Sequence, residues 1–283
     1  MRLELHCHST CSDGSLDPVD LAARARARGV ELFCLTDHDT MAGTEAVRAA
    51  LPEIPVLRSL EMSCRAAGKT VHLLIYGVQD GPGRDALEAR LSEVEAKRRD
   101  RIELILDRLD RLGVHLDREK IRARGHGRTP GRPDVAAALV EAGICNSLRQ
   151  AFDQFLKDDG PAYVAVDRVS LEEGLDLGRA AGAKMSMAHP HTLRNFALVE
   201  DLFLRFRDRG LEGIEARYGK YQRAQRVPWE RLAAQYGLVI TGGSDFHGEI
   251  GPEVTEPGIE LDEEIAAPLR AWLGVETNPV API

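Results

Sequence analysis

Histidines and carboxylates in this chain gather where β-strand patterns end. Six of the nine histidines stand in or just after short apolar strand patterns: His6 and His8 after Leu3 and Leu5, His38 after Leu35, His72 within Val71 to Ile75, His189 after Met187 and His247 after Ile240. His6 and His8 are one residue apart, and side chains on a strand alternate in direction, so both imidazoles face one side while Cys7 faces the other. Asp245 and His247 repeat that spacing behind Gly242, Gly243 and Ser244, and glycine lets backbone approach a crowded site. Asp13, His38 and Glu61 follow the first, second and third strand patterns. Imidazoles bring lone pairs; carboxylates bring negative charge and a second oxygen able to bridge adjacent cations. The chemistry in prospect is therefore the binding of more than one metal ion.

Each residue also has a plainer reading. His72 or His189, taken alone on an apolar strand, is usually a hydrogen-bonded core residue, and only its company makes it a ligand. Asp13 sits in a Ser-Asp-Gly-Ser stretch that forms turns. Glu61 is different: it lies between Leu60 and Met62, and a carboxylate buried there without a partner would cost several kcal/mol, roughly, so it requires a cation. Asp37 and Asp39 flank His38 and read as groups that orient the ligands, not as ligands themselves.

These residues converge only if the intervening elements bring them together. Residues 3–8, 18–28, 31–37, 40–50 and 55–63 alternate strand and helix patterns, which predicts a parallel sheet wrapped by helices, and residues 69–76 add a strand. From about 84 to 112 the apolar residues recur at helical spacing among dense charge, Gly113 ends that helix, and residues 133–142 and 147–156 are two further amphipathic stretches. Alternation resumes over 171–181, 184–188, 198–210, 213–216, 229–236 and 238–242. The organisation read from this is a barrel of residues 1–83 and 157–283 carrying a helical insertion, 84–156. Parallel strands in a barrel open their C-terminal ends on one face, where residues distant in sequence meet.

Composition narrows the partners. With 43% hydrophobic residues and a formal charge of −8, the chain can bury a large core but lacks the basic balance that drives binding to long nucleic acid. No apolar run is long enough to span a bilayer, no cleavable leader is recognisable, and five irregularly spaced cysteines suit reduced thiols, so a cytoplasmic protein with no membrane partner is expected. Cys7 and Cys11 have zinc-like spacing without a matching second pair, and read as buried thiols.

The ordered set His6-Cys7-His8-Ser9, Ser12-Asp13-Gly14, Thr36-Asp37-His38-Asp39, Ala188-His189-Pro190 and Gly243-Ser244-Asp245-Phe246-His247 closely resembles the motifs of the polymerase and histidinol phosphatase (PHP) family. The resemblance implies a distorted (β/α)7 TIM-like barrel in the α/β class, with two to three divalent metals. Manganese is favoured, and zinc or iron is compatible with a nitrogen and oxygen donor set. By position it assigns His6, His8, Glu61 and Asp245 to one ion, Glu61, His72 and His189 to a second, and Asp13, His38 and His247 to a third. Closely spaced cations would acidify water and neutralise a phosphoryl group. His191 is a candidate to protonate the leaving oxygen, with a plain surface histidine as the alternative, and Asp37 is the other candidate at the reacting centre.

Between Lys120 and Arg132 stand Arg122, Arg124, Arg128 and Arg132 with no acid among them, which suits a second substrate phosphate or simply a solvated basic loop. Gly131-Arg132-Pro133-Asp134-Val135-Ala136 resembles a substrate loop of the branch that hydrolyses 3',5'-nucleotide bisphosphates and trims short RNA from its 5' end, with Asp134 where many relatives carry histidine. The expectation is release of the 3'-phosphate from a nucleoside 3',5'-bisphosphate or a short oligonucleotide, with Arg128 or Arg132, and Asp134, binding substrate. The rivals are a histidinol phosphatase, another small-molecule phosphomonoesterase, and a non-catalytic metal-binding module.

Overall fold

The computed structural model describes residues 1–125, 129–165, 168–250 and 253–275. Arg128 and the tail 278–283 lie outside them. Two compact units emerge: Met1–Glu88 with Val169–Ile283, and Ala89–Arg168.

In the first unit the elements run β1 (Arg2–Glu4), α1 (Pro18–Ala27), β2 (Leu32–Leu35), α2 (Thr44–Ala50), β3 (Val56–Ala66), β4 (Lys69–Tyr76) and the start of α3 (Pro82–Arg111). The second unit holds the rest of α3, then α4 (Arg118–Ala123), α5 (Arg132–Glu141), α6 (Leu148–Ala151) and a π-helical turn, Phe152–Leu156. The chain returns to the first unit with β5 (Val169–Ser170), α7 (Leu171–Ala180), β6 (Lys184–Met187), α8 (Phe196–Phe206), β7 (Leu211–Tyr218), α9 (Arg223–Tyr236), β8 (Val239–Gly243), β9 (Ile259–Glu260) and α10 (Glu263–Leu273).

The sheet order is β8-β7-β6-β4-β3-β2-β1-β9, with β5 beside β3. It closes on itself where the chain beyond β1 meets the chain beyond β8. Cys7 bridges Phe246 in parallel, Asp245 N donates to His6 O at 2.7 Å, and His8 N donates to Phe246 O at 2.9 Å. The result is a distorted TIM-like barrel of seven strands, as the motifs imply, with β9 and β5 as short additions.

Two strands depart from the parallel expectation: the short β9 runs antiparallel to β1, and β4, within the barrel, runs antiparallel to both β3 and β6. Only Ala67 and Gly68 separate β3 from β4, both with positive φ, 47° and 76°. Two residues make a hairpin of the primed type, whereas a parallel crossover needs a dozen residues or more. His72 therefore reaches the barrel mouth from the early part of its strand, opposite Ser63.

α9 starts six residues before the segment read from sequence, because Pro228 stands inside the helix without ending it. β9 and α10 extend the barrel beyond the last strand read from sequence and cover its floor, where Leu261, Ala266 and Leu269 pack with Leu3, Leu5, Leu32 and Tyr76. The helical unit has a core of its own, including Ile105, Leu109, Ile121, Val135, Leu139 and Leu156. Among the described residues no helix is long and apolar enough to cross a membrane.

Candidate active site

Glu61, on β3, is the hub. Its Oε1 lies 2.8 Å from His72 Nδ1 and 2.9 Å from His189 Nε2, and its Oε2 lies 3.2 Å from His8 Nε2, 3.2 Å from His38 Nδ1 and 3.3 Å from His6 Nε2. Asp245 Oδ1 stands 3.4 Å from His6 Nε2, 3.3 Å from His8 Nε2 and 3.5 Å from His247 Nδ1. Asp13 faces His8 Nδ1 at 3.4 Å, His247 Nε2 at 3.6 Å and His38 Nε2 at 3.7 Å. Every residue singled out as a metal ligand thus comes to one barrel mouth. The close packing requires Gly243, where a Cβ would stand 2.4 Å from His6 N.

Three sets of donors have their atoms within 4.8 Å of one another: His8, Asp13, His38 and His247; His6, His8 and Glu61; and His38, Glu61 and His72. They overlap more than the partition implied by the motifs, with His8 shared by two sets and His38 beside Glu61. These sets fit divalent cations on a direct observation. His6 Nε2, both nitrogens of His8 and His38 Nδ1 are buried with no hydrogen-bond partner. Each such orphan costs about 1–3 kcal/mol unless something satisfies it, and a cation shared with the facing carboxylates does so.

Electrostatics agree. Burial would depress the His6 imidazole, but Glu215, Glu61 and Asp245 hold it well above its ordinary value, and His8, likewise buried, is raised to about 10 by Asp245, Glu61 and Asp13. His38 goes the other way, to about 4, because burial and the neighbouring His8 and His72 outweigh the acids. Glu61 and Asp245 sit well below the usual carboxylate range despite burial, each held down by several imidazoles. Without metal, protons on His6 and His8 balance the carboxylates; a metal must expel them, since only the neutral imidazole ligates. Metal affinity should therefore fall as pH falls. Calorimetric titration with manganese in two buffers of different ionisation heat should show proton release, and buffer-independent heats would contradict it.

Buried groups that sequence reasoning missed hold these ligands in place. Glu215, fully buried on β7, accepts from His6 Nδ1 at 2.8 Å and from His189 N at 2.7 Å, which turns His6 Nε2 toward the mouth. Glu4 accepts from the backbone N–H groups of His6, Ser244 and Gly258 and from the Ser244 hydroxyl, tying the first strand to the last. Tyr218 at 2.6 Å and Lys220 at 3.0 Å both donate to Asp245 Oδ2, leaving Oδ1 toward the imidazoles. Asp37 accepts from Ser9 N at 2.8 Å, Ser9 Oγ at 2.6 Å and Ser12 Oγ at 2.5 Å; it clamps the loop that carries His8 and Asp13. His189 and Asp245 occupy positive φ, 23° and 53°, strain of the kind that surrounding structure sustains at working sites.

His191 is exposed, and its Nδ1 lies 2.7 Å from the Tyr221 hydroxyl. The same hydroxyl oxygen accepts from the His191 backbone N–H at 3.4 Å, which leaves its own proton for Nδ1. With Tyr221 as the donor, the neutral ring carries its proton on Nε2.

In the helical unit Arg132 donates to Leu156 O and to Asp158, both at 3.0 Å, and the Asp134 carboxylate accepts from Gly131 N at 2.6 Å at the start of α5. Arg122 pairs with Glu103 and Glu119, and Arg124 with Glu141.

A family model described as the PHP domain matches residues 4–96. The 3',5'-nucleoside bisphosphate phosphatase of Chromobacterium violaceum is 32% identical over 89% of this chain and 90% of its own length. The phosphoribosyl 1,2-cyclic phosphate 1,2-diphosphodiesterase of Eggerthella lenta is also 32% identical, over 88% of this chain and 95% of its own. A solved protein of Bifidobacterium adolescentis, assigned to the metal-dependent phosphoesterases, superposes with a TM-score of 0.77 at 27% identity, covering 95% of this chain and 96% of its own. The family match and these relatives, together with the His, Asp and Glu clusters at the barrel mouth, support the enzymatic reading over a module without activity. The chain belongs to the PHP family and is a metal-dependent hydrolase acting on phosphoric esters.

Proposed function

We propose that the enzyme removes the 3'-phosphate from nucleoside 3',5'-bisphosphates, giving the nucleoside 5'-monophosphate and inorganic phosphate, and that it also trims short RNA from the 5' end. Overall likeness does not choose the substrate, since the bisphosphatase and the cyclic phosphodiesterase are equally identical to this chain. What carries the reading is the resemblance of Gly131 to Ala136 to the substrate loop of the bisphosphate branch, on a barrel whose donors surround Glu61 closely enough for several cations.

His6, His8, Asp13, His38, Glu61, His72, His189, Asp245 and His247 would hold two to three divalent ions, manganese by preference and zinc or iron compatibly. When bound, the ions supply Lewis-acid charge that acidifies a water and offsets the negative charge of the phosphoryl group. The chain's own residues do the rest. Glu215 keeps His6 and the backbone of His189 in register; Tyr218 and Lys220 hold one oxygen of Asp245. Asp37 acts through the loop it clamps. His191, fixed by Tyr221 with its proton on Nε2, gives that proton to the departing ribose oxygen.

Phosphate release should be compared on a nucleoside 3',5'-bisphosphate, on histidinol phosphate and on a long single strand at fixed salt. The bisphosphate should be preferred by about tenfold or more in kcat/KM. Equal or better turnover of histidinol phosphate would overturn the substrate, and efficient cleavage of the long strand would overturn the restriction to small ligands.

A further inference from the structure

The turn that follows β7 carries three polar side chains to the mouth of the barrel. Tyr221 N donates to Tyr218 O at 2.9 Å and closes it, and Gly219 N donates to Gly243 O at 2.8 Å. Glycine lets this turn press against the end of β8: a Cβ on Gly219 would stand 2.8 Å from Ser244 Cα and 3.0 Å from Ser244 O. Tyr218 thereby reaches Asp245, and Tyr221 reaches His191. Lys220, between them in sequence, places its Nζ 3.0 Å from Asp245 Oδ2 and 5.5 Å from the centre of the Tyr218 ring. The His191 ring lies 5.3 Å from the centre of that same ring. One tyrosine thus has both an ammonium group and the imidazole of His191 against it, beside a carboxylate of the ligand cluster.

Holding Asp245 does not use up that ammonium. Tyr218 already donates to the same oxygen at 2.6 Å, and the other oxygen, Oδ1, faces His6, His8 and His247. Among the described residues Asp245 is the only hydrogen-bond partner of Lys220, and 25% of the lysine side chain is exposed, so N–H donors remain for a ligand. A cation taken up by Asp245 would leave one carboxylate to serve two positive centres. An anion touched by both relieves that repulsion.

We propose that Lys220 is a substrate-binding residue, whose ammonium grips a non-bridging oxygen of the phosphoryl group being transferred. A compact charge on a flexible stem can pass from Asp245 to a phosphoryl oxygen while the turn that carries it stays in place. The inference rests on the ion site proposed around Glu61, and not on which ester is cleaved, because non-bridging phosphoryl oxygens are common to every candidate substrate.

Calorimetric titration of the full-length, manganese-loaded enzyme with inorganic phosphate tests this. Lys220→Met should weaken phosphate binding by about tenfold or more, and lower kcat/KM on p-nitrophenyl phosphate by a similar factor; Lys220→Arg, which keeps the charge, should recover most of both. Manganese affinity, titrated separately, should be unchanged or higher in Lys220→Met, because a neighbouring positive charge is gone. A lysine that merely held Asp245 would do the reverse. Tyr218→Phe strips the same carboxylate oxygen of its other donor without removing charge, so its phosphate affinity at saturating manganese should stay within about threefold of the parent's. Should Lys220→Met fail to fold, Lys220→Gln carries the test. Phosphate binding by the variant equal to the parent's, or a loss that saturating manganese restores, would overturn the assignment. A parent that takes up no manganese would instead sink the ion site, and the assignment with it.

Discussion

Glu61→Gln should lose at least about a thousandfold in phosphate release while the protein keeps its fold. Both Glu61 oxygens are engaged, one beside His72 and His189 and the other beside His6, His8 and His38, so the carboxylate is the group shared among the donor sets. An amide keeps the shape but removes the charge and replaces one lone-pair oxygen with N–H donors that face imidazoles. Metal content measured on the purified variant should fall together with activity, while far-ultraviolet circular dichroism stays that of the parent. A variant with near-full turnover would remove Glu61 from the centre of the site.

The second large effect concerns proton delivery and depends on the leaving group. His191→Gln should lower kcat on a nucleoside bisphosphate by about a hundredfold or more, because a ribose alkoxide leaves poorly without a proton. On p-nitrophenyl phosphate, whose phenolate leaves unaided, the loss should be under about threefold. Tyr221→Phe frees the ring to take either tautomer and should reproduce the pattern at about a tenth of the parental rate, with KM little changed. Nitrogen NMR of the imidazole provides the readout that a scaffolding role would not move: Nε2–H in the parent, a mixture in Tyr221→Phe. Equal losses on both substrates would reduce His191 to a binding or surface residue.

The positions of the imidazoles and carboxylates were legible because metal ligation restricts residue type, and a strand pattern ending in His or Asp is unusual enough to read. Glu61 was legible for a simpler reason, a carboxylate between Leu60 and Met62. The same reasoning applies to Glu215, between Ile214 and Ala216, and to Glu4, between Leu3 and Leu5; both are fully buried and both orient ligands, so the signal was there. The direction of β4 was also implicit in its two-residue connection to β3. What the chain could not disclose locally was partner identity. The basic run from Lys120 to Arg132 has no acid inside it, yet Arg122 and Arg124 meet Glu103, Glu119 and Glu141, mostly supplied by other helices. Arg101 and Arg132, far apart in sequence, come together over the Tyr163 ring only through folding. Tyr218, Lys220 and Tyr221 form a short cluster whose roles depend on facing Asp245 and His191, which no periodicity reveals.

The seam that closes the barrel joins residues 6–8 to residues 245–246, with Glu4 reaching across to Ser244 and Gly258. Contacts of such long sequence separation form late, after the loop-closure entropy has been overcome. A nascent chain still short of its final strand therefore carries most of the imidazoles but not the cradle that aligns them. Full affinity for cations should therefore require the closed seam, and a chain truncated before β8 should hold them weakly despite keeping most of the histidines.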